Sequence, residues 1–279
     1  PSSHHTHWLR PRLLRGQPLN APAEAVSVPT RWCHDCLAGV VEIDCLPLVR
    51  RGAGEEAMRI IVGYPPISDE RGYVQVGQNR QSKIFSVGEE AAIFPCVMAW
   101  ATTLLKQDGH DVRWMDCQTQ GISLPEFLKE ILLWVPDIIL WEAKTPSIQA
   151  TWWAVKKVKD LLPSCIVVLC GDHVTALPEE TIEETKGACW VITGGDYDFG
   201  IRQLIKRMKE NTVGWKYMAK FDMPTTTSLE TLPVIDRTLC RWKDYSKMGN
   251  YLKIPGTHGY SARDCWWRHE GGCTFCSWT

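Results

Sequence analysis

CIVVLCGDHVTALPEE, residues 165–180, is the stretch that decides the fold. Its first half is an unbroken apolar run with β-branched residues, the composition of a strand buried on both faces. Gly171 then lets the backbone pass close to a neighbour or a ligand. Asp172, His173 and Thr175 offer polar groups directly after it, and Pro178 opens a short helix. The pattern is one unit of strand, polar turn and helix.

The unit recurs on both sides of this stretch. MRIIVGY (58–64) reads as a buried strand ended by Pro65 and Pro66, followed by a long loop to about Ser86. AAIFPCVMAWATTLLKQDGH reads as a helix that ends at Gly109 and holds Pro95 in its first turn. HDVRWMDC (110–117) is the second strand. Ser123 and Glu126 form a capping box for the next helix, whose apolar face is Leu124, Phe127, Leu128, Ile131 and Leu132. PDIILWEA (136–143) is the third strand, and a helix from about Ser147 to Leu162 follows it. CIVVLCG (165–171) is the fourth strand and ACWVITGG (188–195) the fifth. A last helix carries Ile201, Leu204, Ile205 and Met208.

Near-continuous apolar strands in strict alternation with helices imply a parallel sheet wrapped on both faces. The expectation is an α/β fold, a doubly wound, five-stranded, flavodoxin-like or Rossmann-like sheet over residues 58–210. Residues 1–57 carry scattered Pro and Arg with little periodicity, and read as a disordered arm, a targeting segment or sequence outside the natural protein, the last favoured. Residues 211–259 lose the alternation and read as a linker. Residues 260–279 read as the start of a second domain, with a strand from about Tyr260.

The totals exclude some classes. The chain has 279 residues, 44% hydrophobic and 23% charged, with a formal net charge of −1. That balance gives no pull toward nucleic acid or an anionic membrane. No apolar run approaches the ~20 residues of a membrane span. Twelve cysteines stand without a secretory leader in front of them, so most read as small buried hydrophobes in a reducing, cytoplasmic setting. Cys33 and Cys36 form a lone C-x2-C, a weak zinc signal without a second pair.

In a doubly wound sheet the ligand sits at the carboxyl ends of the strands. The loops there carry Thr145 and Ser147 after strand three, Gly171, Asp172, His173 and Thr175 after strand four, and Gly194 and Gly195 after strand five. Each alone is ordinary turn chemistry. Three such loops on one rim point to a binding site for a large flat ligand. DCQTQG (116–121) matches the D-x-H-x-x-G signature of histidine-ligating cobalamin proteins, except that Gln118 replaces the His. It also follows the second strand rather than the first, so the match reads as coincidence.

CWWRHEGGCTFCSWT (265–279) spaces its cysteines C-x7-C-x2-C. Cys265, Cys273 and Cys276 could bind zinc with His269 as the fourth ligand. They could equally hold three irons of a [4Fe–4S] cluster and leave the fourth open. Phe275 before the last cysteine fits the radical SAM pattern C-x3-C-x-Φ-C, with a first gap of seven in place of three.

Residues 58 to 279 resemble the cobalamin-binding radical SAM family. The resemblance rests on the strand ending in Pro65-Pro66, QDGHDVRWMD, PDII, VVLCGDHVTALPEE, the TGGDYD turn and the terminal cysteine loop. Family members carry a second glycine where Asp172 stands, and an acidic turn where GGDYD stands. The resemblance implies cobalamin on the rim residues, with Pro65 and Pro66 among them, and a [4Fe–4S] cluster on Cys265, Cys273 and Cys276 that binds S-adenosylmethionine. It also implies a small-molecule substrate, a reductant such as ferredoxin or flavodoxin, and methyl transfer or oxidative cyclisation started by a 5′-deoxyadenosyl radical. Most of the implied barrel lies beyond Thr279, so the chain reads as the N-terminal part of a longer enzyme. The alternatives are a cobalamin-binding module with a structural zinc tail, and a doubly wound domain for another flat cofactor such as a flavin.

Overall fold

The structure is a computed structural model. It describes residues 57–67, 73–76, 82–85, 93–210, 220–222, 230, 232–246, 256, 257 and 259. Five parallel strands form where the apolar runs stand: β1 (Arg59–Tyr64), β4 (Asp111–Asp116), β5 (Ile138–Glu142), β6 (Ile166–Cys170) and β7 (Cys189–Thr193). Their order is β4-β1-β5-β6-β7, the 2-1-3-4-5 arrangement of flavodoxin-like sheets. Two elements were not expected. Tyr73–Val76 (β2) and Ser82–Phe85 (β3) pair as an antiparallel hairpin within the long first loop. Lys220–Asp222 (β8) adds a short sixth parallel strand beside β7, inside the stretch read as linker.

The alternation of side chains explains the layers. Ile60, Val62 and Tyr64 of β1 point to one face, with Ile138 and Leu140 of β5 and Val168 and Cys170 of β6. Helices α1 (Cys96–Gln107) and α6 (Tyr197–Lys209) cover that face through residues such as Met98, Leu105, Ile201 and Leu204. Ile61, Ile139, Trp141, Val167 and Leu169 point to the other face. There they meet Phe127 and Ile131 of α2 (Leu124–Trp134) and Val155 and Val158 of α3 (Ile148–Leu161). A strand apolar at every position therefore feeds two cores at once. Two short helices, α4 (Asp172–Ala176) and α5 (Pro178–Glu184), lead from β6 to β7.

Local signals act as expected. Ser123 caps α2, its backbone N–H donating to Glu126 Oε2 at 2.8 Å, and both halves of the capping box form. Pro95, expected inside the first turn of α1, stands one position earlier as its N-cap. Gly109 ends that helix in the left-handed region, at φ +85°. Beside it, buried His110 accepts at Nδ1 from the Met58 backbone N–H, 3.1 Å away, which fixes the start of β1. Residues 232–246, with α7 (Trp242–Ser246), run along α1. Trp100 Nε1 donates to the Pro233 carbonyl at 3.0 Å, and the Asp236 N–H donates to Thr103 Oγ1 at 2.9 Å.

Gly63 is required by space. A Cβ there would lie 2.1 Å from the Met115 carbonyl oxygen of β4. Gly63→Ala is expected to destabilise by about 3 kcal/mol through forced strand separation, read from the urea midpoint. Gly109→Ala, whose Cβ meets nothing within 4 Å, is expected to cost about 1 kcal/mol from its backbone conformation alone.

Burial, followed by the charge of Lys209, holds His110 below its ordinary value of 6.5, against a smaller opposing effect of Asp108. The neutral ring is the form that accepts from Met58. Its stabilisation is whole above the unfolded value and is lost as pH falls below 6.5 toward the lowered folded value. Denaturant midpoints from pH 7.5 to 5 should fall less steeply in His110→Asn than in the native protein.

Candidate functional site

The chain order reverses between β1 and β5, and their carboxyl ends diverge into loops on opposite faces. Such a switch point is the place where doubly wound sheets bind ligands. The loop after β1 starts with Pro65 and Pro66, both buried. The loop after β5 is Ala143-Lys144 with a turn of 3-10 helix, Thr145–Ser147. The loops after β6 and β7 open on Gly171 and Gly194, at φ +105° and +94°.

The sequence-derived rim residues do come together, and many of them bond to one another. Thr145 Oγ1 lies 3.1 Å from His173 Nδ1, joining the β5 and β6 loops. Thr175 Oγ1 donates to the Gly171 carbonyl at 2.8 Å and accepts from the Gly194 N–H at 3.1 Å, joining the β6 and β7 loops. The Ser147 hydroxyl donates to the Lys144 carbonyl at 3.1 Å. Gly171 is close to its neighbour strand: a Cβ there would lie 2.8 Å from the Ala143 carbonyl oxygen. Its need for glycine thus has a cause within the rim itself. Gly195 is exposed. His173 is buried, and its Nε2 has no hydrogen-bond partner. Burial holds that ring below its ordinary value, against a smaller opposing effect of Glu180.

Beneath these loops lies a charged chain that reading the motifs overlooked. The Tyr64 hydroxyl, at the end of β1, donates to Glu142 Oε2 at the end of β5. Lys144 Nζ lies 2.8 Å from Glu142 Oε1 and 2.8 Å from Asp172 Oδ2. The Glu142 and Lys144 side chains are 1% and 4% exposed, and that of Asp172 is 44% exposed. The chain therefore runs from the core to the rim across β1, β5 and the β6 loop. Burial disfavours the Lys144 ammonium, but Glu142 and Asp172 more than offset it, so the group stays charged above its ordinary value. Burial first, and Glu142 second, push the Tyr64 phenol well up. A visible signal existed: in PDIILWEAK the only two charges after the apolar run are Glu142 and Lys144.

Asp116, the first residue of DCQTQG, ends β4 one strand away from the switch point. Its carboxylate accepts from Thr119 N and Oγ1 at 3.1 and 2.8 Å, and from the Tyr245 hydroxyl at 2.6 Å. It organises its own turn and anchors Tyr245. Cys265, Cys273 and Cys276, like Cys33 and Cys36, lie outside the described residues. Among the described residues no group of three or more His, Cys, Asp or Glu could hold a metal. The strand ends thus carry two glycines in the left-handed region and His173, whose Nε2 lies 3.7 Å from Glu180 Oε2.

No protein-family model matches the chain. It is 25% identical over 201 residues to the anaerobic magnesium-protoporphyrin IX monomethyl ester cyclase of Cereibacter sphaeroides, covering 66% of this chain and 31% of that one. It is 25% identical over 108 residues to the hopanoid C-3 methylase of Methylococcus capsulatus, covering 37% and 20%. An uncharacterized methyltransferase of Pyrococcus horikoshii is 23% identical over 195 residues, covering 66% and 40%. Among solved structures, the cobalamin-dependent S-adenosylmethionine radical enzyme OxsB, with aqua-cobalamin and S-adenosylmethionine bound, matches with a TM-score of 0.51 and 14% identity. That match covers 69% of this chain and 26% of OxsB, and it shows a shared fold. The chain spans 20% to 40% of the length of these curated relatives. These findings support the resemblance to cobalamin-binding radical SAM proteins.

Removing one partner of a buried ion pair strands the other. Lys144→Met is expected to destabilise by about 3–5 kcal/mol, because Glu142 is left buried and uncompensated. Glu142→Gln/Lys144→Met should recover most of that loss, since Gln keeps an acceptor for Tyr64. Urea midpoints of the native protein, the single and the double variant measure the difference.

Proposed function

We propose that this chain is the cobalamin-binding part of a cobalamin-dependent radical SAM enzyme, with the first turn of its cluster-binding domain at the C-terminal end. The observation that carries this reading is the set of strand-end loops beside the β1/β5 switch point, joined to one another by Thr145–His173 and Thr175–Gly194. Pro65, Pro66, Thr145, Ser147, Gly171, Asp172, His173, Thr175, Gly194 and Gly195 would line the cofactor. Their mutual bonds fix the loops before a ligand arrives, which lowers the ordering cost of binding. The stretch from Ile67 to Phe94 contains no histidine, so the loop after β1 would supply no imidazole to cobalt. Cys265, Cys273 and Cys276 would hold three irons of a [4Fe–4S] cluster, leaving one iron for S-adenosylmethionine. Three thiolates suit such a cluster as a donor set.

When bound, these cofactors supply one-electron and methyl-transfer chemistry; the protein supplies position and electrostatics. A small-molecule substrate, a reductant of the ferredoxin or flavodoxin type and a cytoplasmic location complete the proposal. The relatives support the class: one is named as a cyclase and two as methylases or methyltransferases. Methyl transfer and oxidative cyclisation both fit that class.

Two measurements test this reading. Hydroxocobalamin equilibrated with the purified chain should remain with it through gel filtration, seen in the visible spectrum. A protein fraction without corrinoid overturns the cobalamin half. Anaerobic reconstitution with iron and sulfide, then reduction, should give a cubane EPR signal that Cys273→Ala/Cys276→Ala abolishes. Stoichiometric zinc with no cluster overturns the other half.

A further inference from the structure

The sheet order gives β4 a single partner, β1, so among the described residues its other side is an open edge. The Asp111 N–H donates to the Met58 carbonyl and the Cys117 N–H to the Tyr64 carbonyl. Successive peptides of a strand face opposite sides, so the odd-numbered positions of β4 serve β1, and the peptide groups of Val112 and Trp114 face outward. These have no hydrogen-bond partner among the described residues. A bare edge of this kind is a template for another strand. A cavity of about 580 Å³ lies along it, with Val112, Arg113, Trp114 and Met115 on its lining. Ile122 and the α2 residues Glu126 and Glu130 wall it on one face of the sheet. Leu239, from the stretch that runs along α1, walls it on the other.

The charges of the lining are unequal. Glu126 and Glu130 stand four positions apart on α2, an unfavourable spacing for like charges. Glu126 is held by its capping box, and Glu130 makes no hydrogen bond or ion pair among the described residues. Arg113, the one cation of the lining, lies over the Trp134 ring, 4.3 Å from its centroid, and pairs with neither glutamate. The Gln120 amide nitrogen, also at this cavity, is buried without a hydrogen-bond partner.

We propose that the open edge of β4 docks an extended segment of a partner protein in which lysine or arginine alternates with apolar residues. The segment adds as a strand: its carbonyls accept from the Val112 and Trp114 N–H groups, and its own N–H groups donate to their carbonyls. Side chains of an added strand alternate between the two faces of the sheet. Those on the α2 face meet Glu126 and Glu130, which call for cations, and those on the other face meet Leu239, which calls for apolar groups. Four residues of β4 span about 13 Å at roughly 3.3 Å each, so the cleft fits a segment of about four or five residues. A second copy of this chain fits less well. Its β4 brings its own α2 and residues 232–246 with it, and offers a lone Arg113 to two glutamates. This site is independent of the corrinoid reading of the strand-end loops.

Two synthetic peptides test the site on the full 279-residue chain. Lys-Val-Lys-Val-Lys and Glu-Val-Glu-Val-Glu each carry a fluorophore, and binding is read by anisotropy. The basic peptide should bind saturably and the acidic one should not. Glu130→Lys changes an exposed side chain that bonds to nothing described, so it keeps the fold, with circular dichroism as the check. It should weaken the basic peptide about fivefold. Amide exchange followed by NMR reads the docking itself. With the basic peptide bound, the Val112 and Trp114 N–H groups should exchange about tenfold more slowly. Those of Asp111 and Cys117, already bonded to β1, should not change. A basic peptide that binds no better than the acidic one overturns the proposal, as does an affinity unchanged by Glu130→Lys, or binding that leaves exchange at Val112 and Trp114 unaltered. Protection of those two groups without peptide also overturns it: lost on dilution, it assigns the edge to a second copy, and surviving dilution, it assigns the edge to another part of this chain.

Discussion

A parallel strand covered by helices on both faces has no place for charge until it ends. β5 is the clearest case: Ile138, Ile139, Leu140 and Trp141 are fully buried and alternate between two cores. The first charge is Glu142, at the carboxyl end. An unpaired carboxylate there would carry a large desolvation cost. Tyr64 and Lys144 offset it from the ends of β1 and the β5 loop, and Asp172 closes the pattern from β6. The requirement for an apolar sheet interior therefore gathers the polar chemistry at one rim. At the same rim the loops after β1 and β5 leave toward opposite faces.

The stretch that follows the sheet is part of this arrangement. Helix α1 starts at the carboxyl rim and runs away from it. Residues 232–246 contact it first at Trp100 and Thr103, then return toward its start. Cys240 is buried against the Ala99 carbonyl. Tyr245 packs edge-on to Phe94, with ring centroids 5.3 Å apart, and its hydroxyl reaches Asp116 at the end of β4. Arg237 lies 4.7 Å over the Phe94 ring. At Tyr245 the chain thus stands at the carboxyl-end rim of the sheet. A stretch with no periodic signal is held there by aromatic contacts and single hydrogen bonds.

What the sequence made legible follows from range. The five long strands and the helices between them are local patterns, and apolar runs with caps express them directly. The β2–β3 hairpin and β8 were missed because four and three residues, SKIF and KFD among them, carry too little pattern. The rim loops were legible because a glycine at the end of a buried strand is a local sign. The ionic floor was not. Tyr64 and Glu142 are 78 positions apart, and Lys144 and Asp172 are 28 apart. Neither pairing has any imprint on the residues between. Only the oddity of two charges closing an apolar run hinted at it. The departure at Asp172, where the resembled family carries glycine, also takes its meaning from Lys144: the carboxylate has a cation waiting beneath it.

The cysteines divide by the same physics. Cys96, Cys117, Cys165, Cys170, Cys189 and Cys240 are free and buried. Burial pushes the Cys165 thiol up to about 12 and Cys189 up to about 11, and it pushes Cys170 well up too, with Glu142 adding to the effect. A thiol ligates metal as the thiolate, and a group held protonated by its surroundings is a poor ligand at neutral pH. These six act as small apolar side chains in the two cores. The other six are Cys33, Cys36, Cys45, Cys265, Cys273 and Cys276. Cys45 stands in the apolar stretch VVEIDCLPLV, and the other five stand in polar, glycine- or tryptophan-bearing stretches with ligand-like spacing. One residue type can serve as apolar filler or as metal ligand, because burial in an apolar core raises the cost of the thiolate.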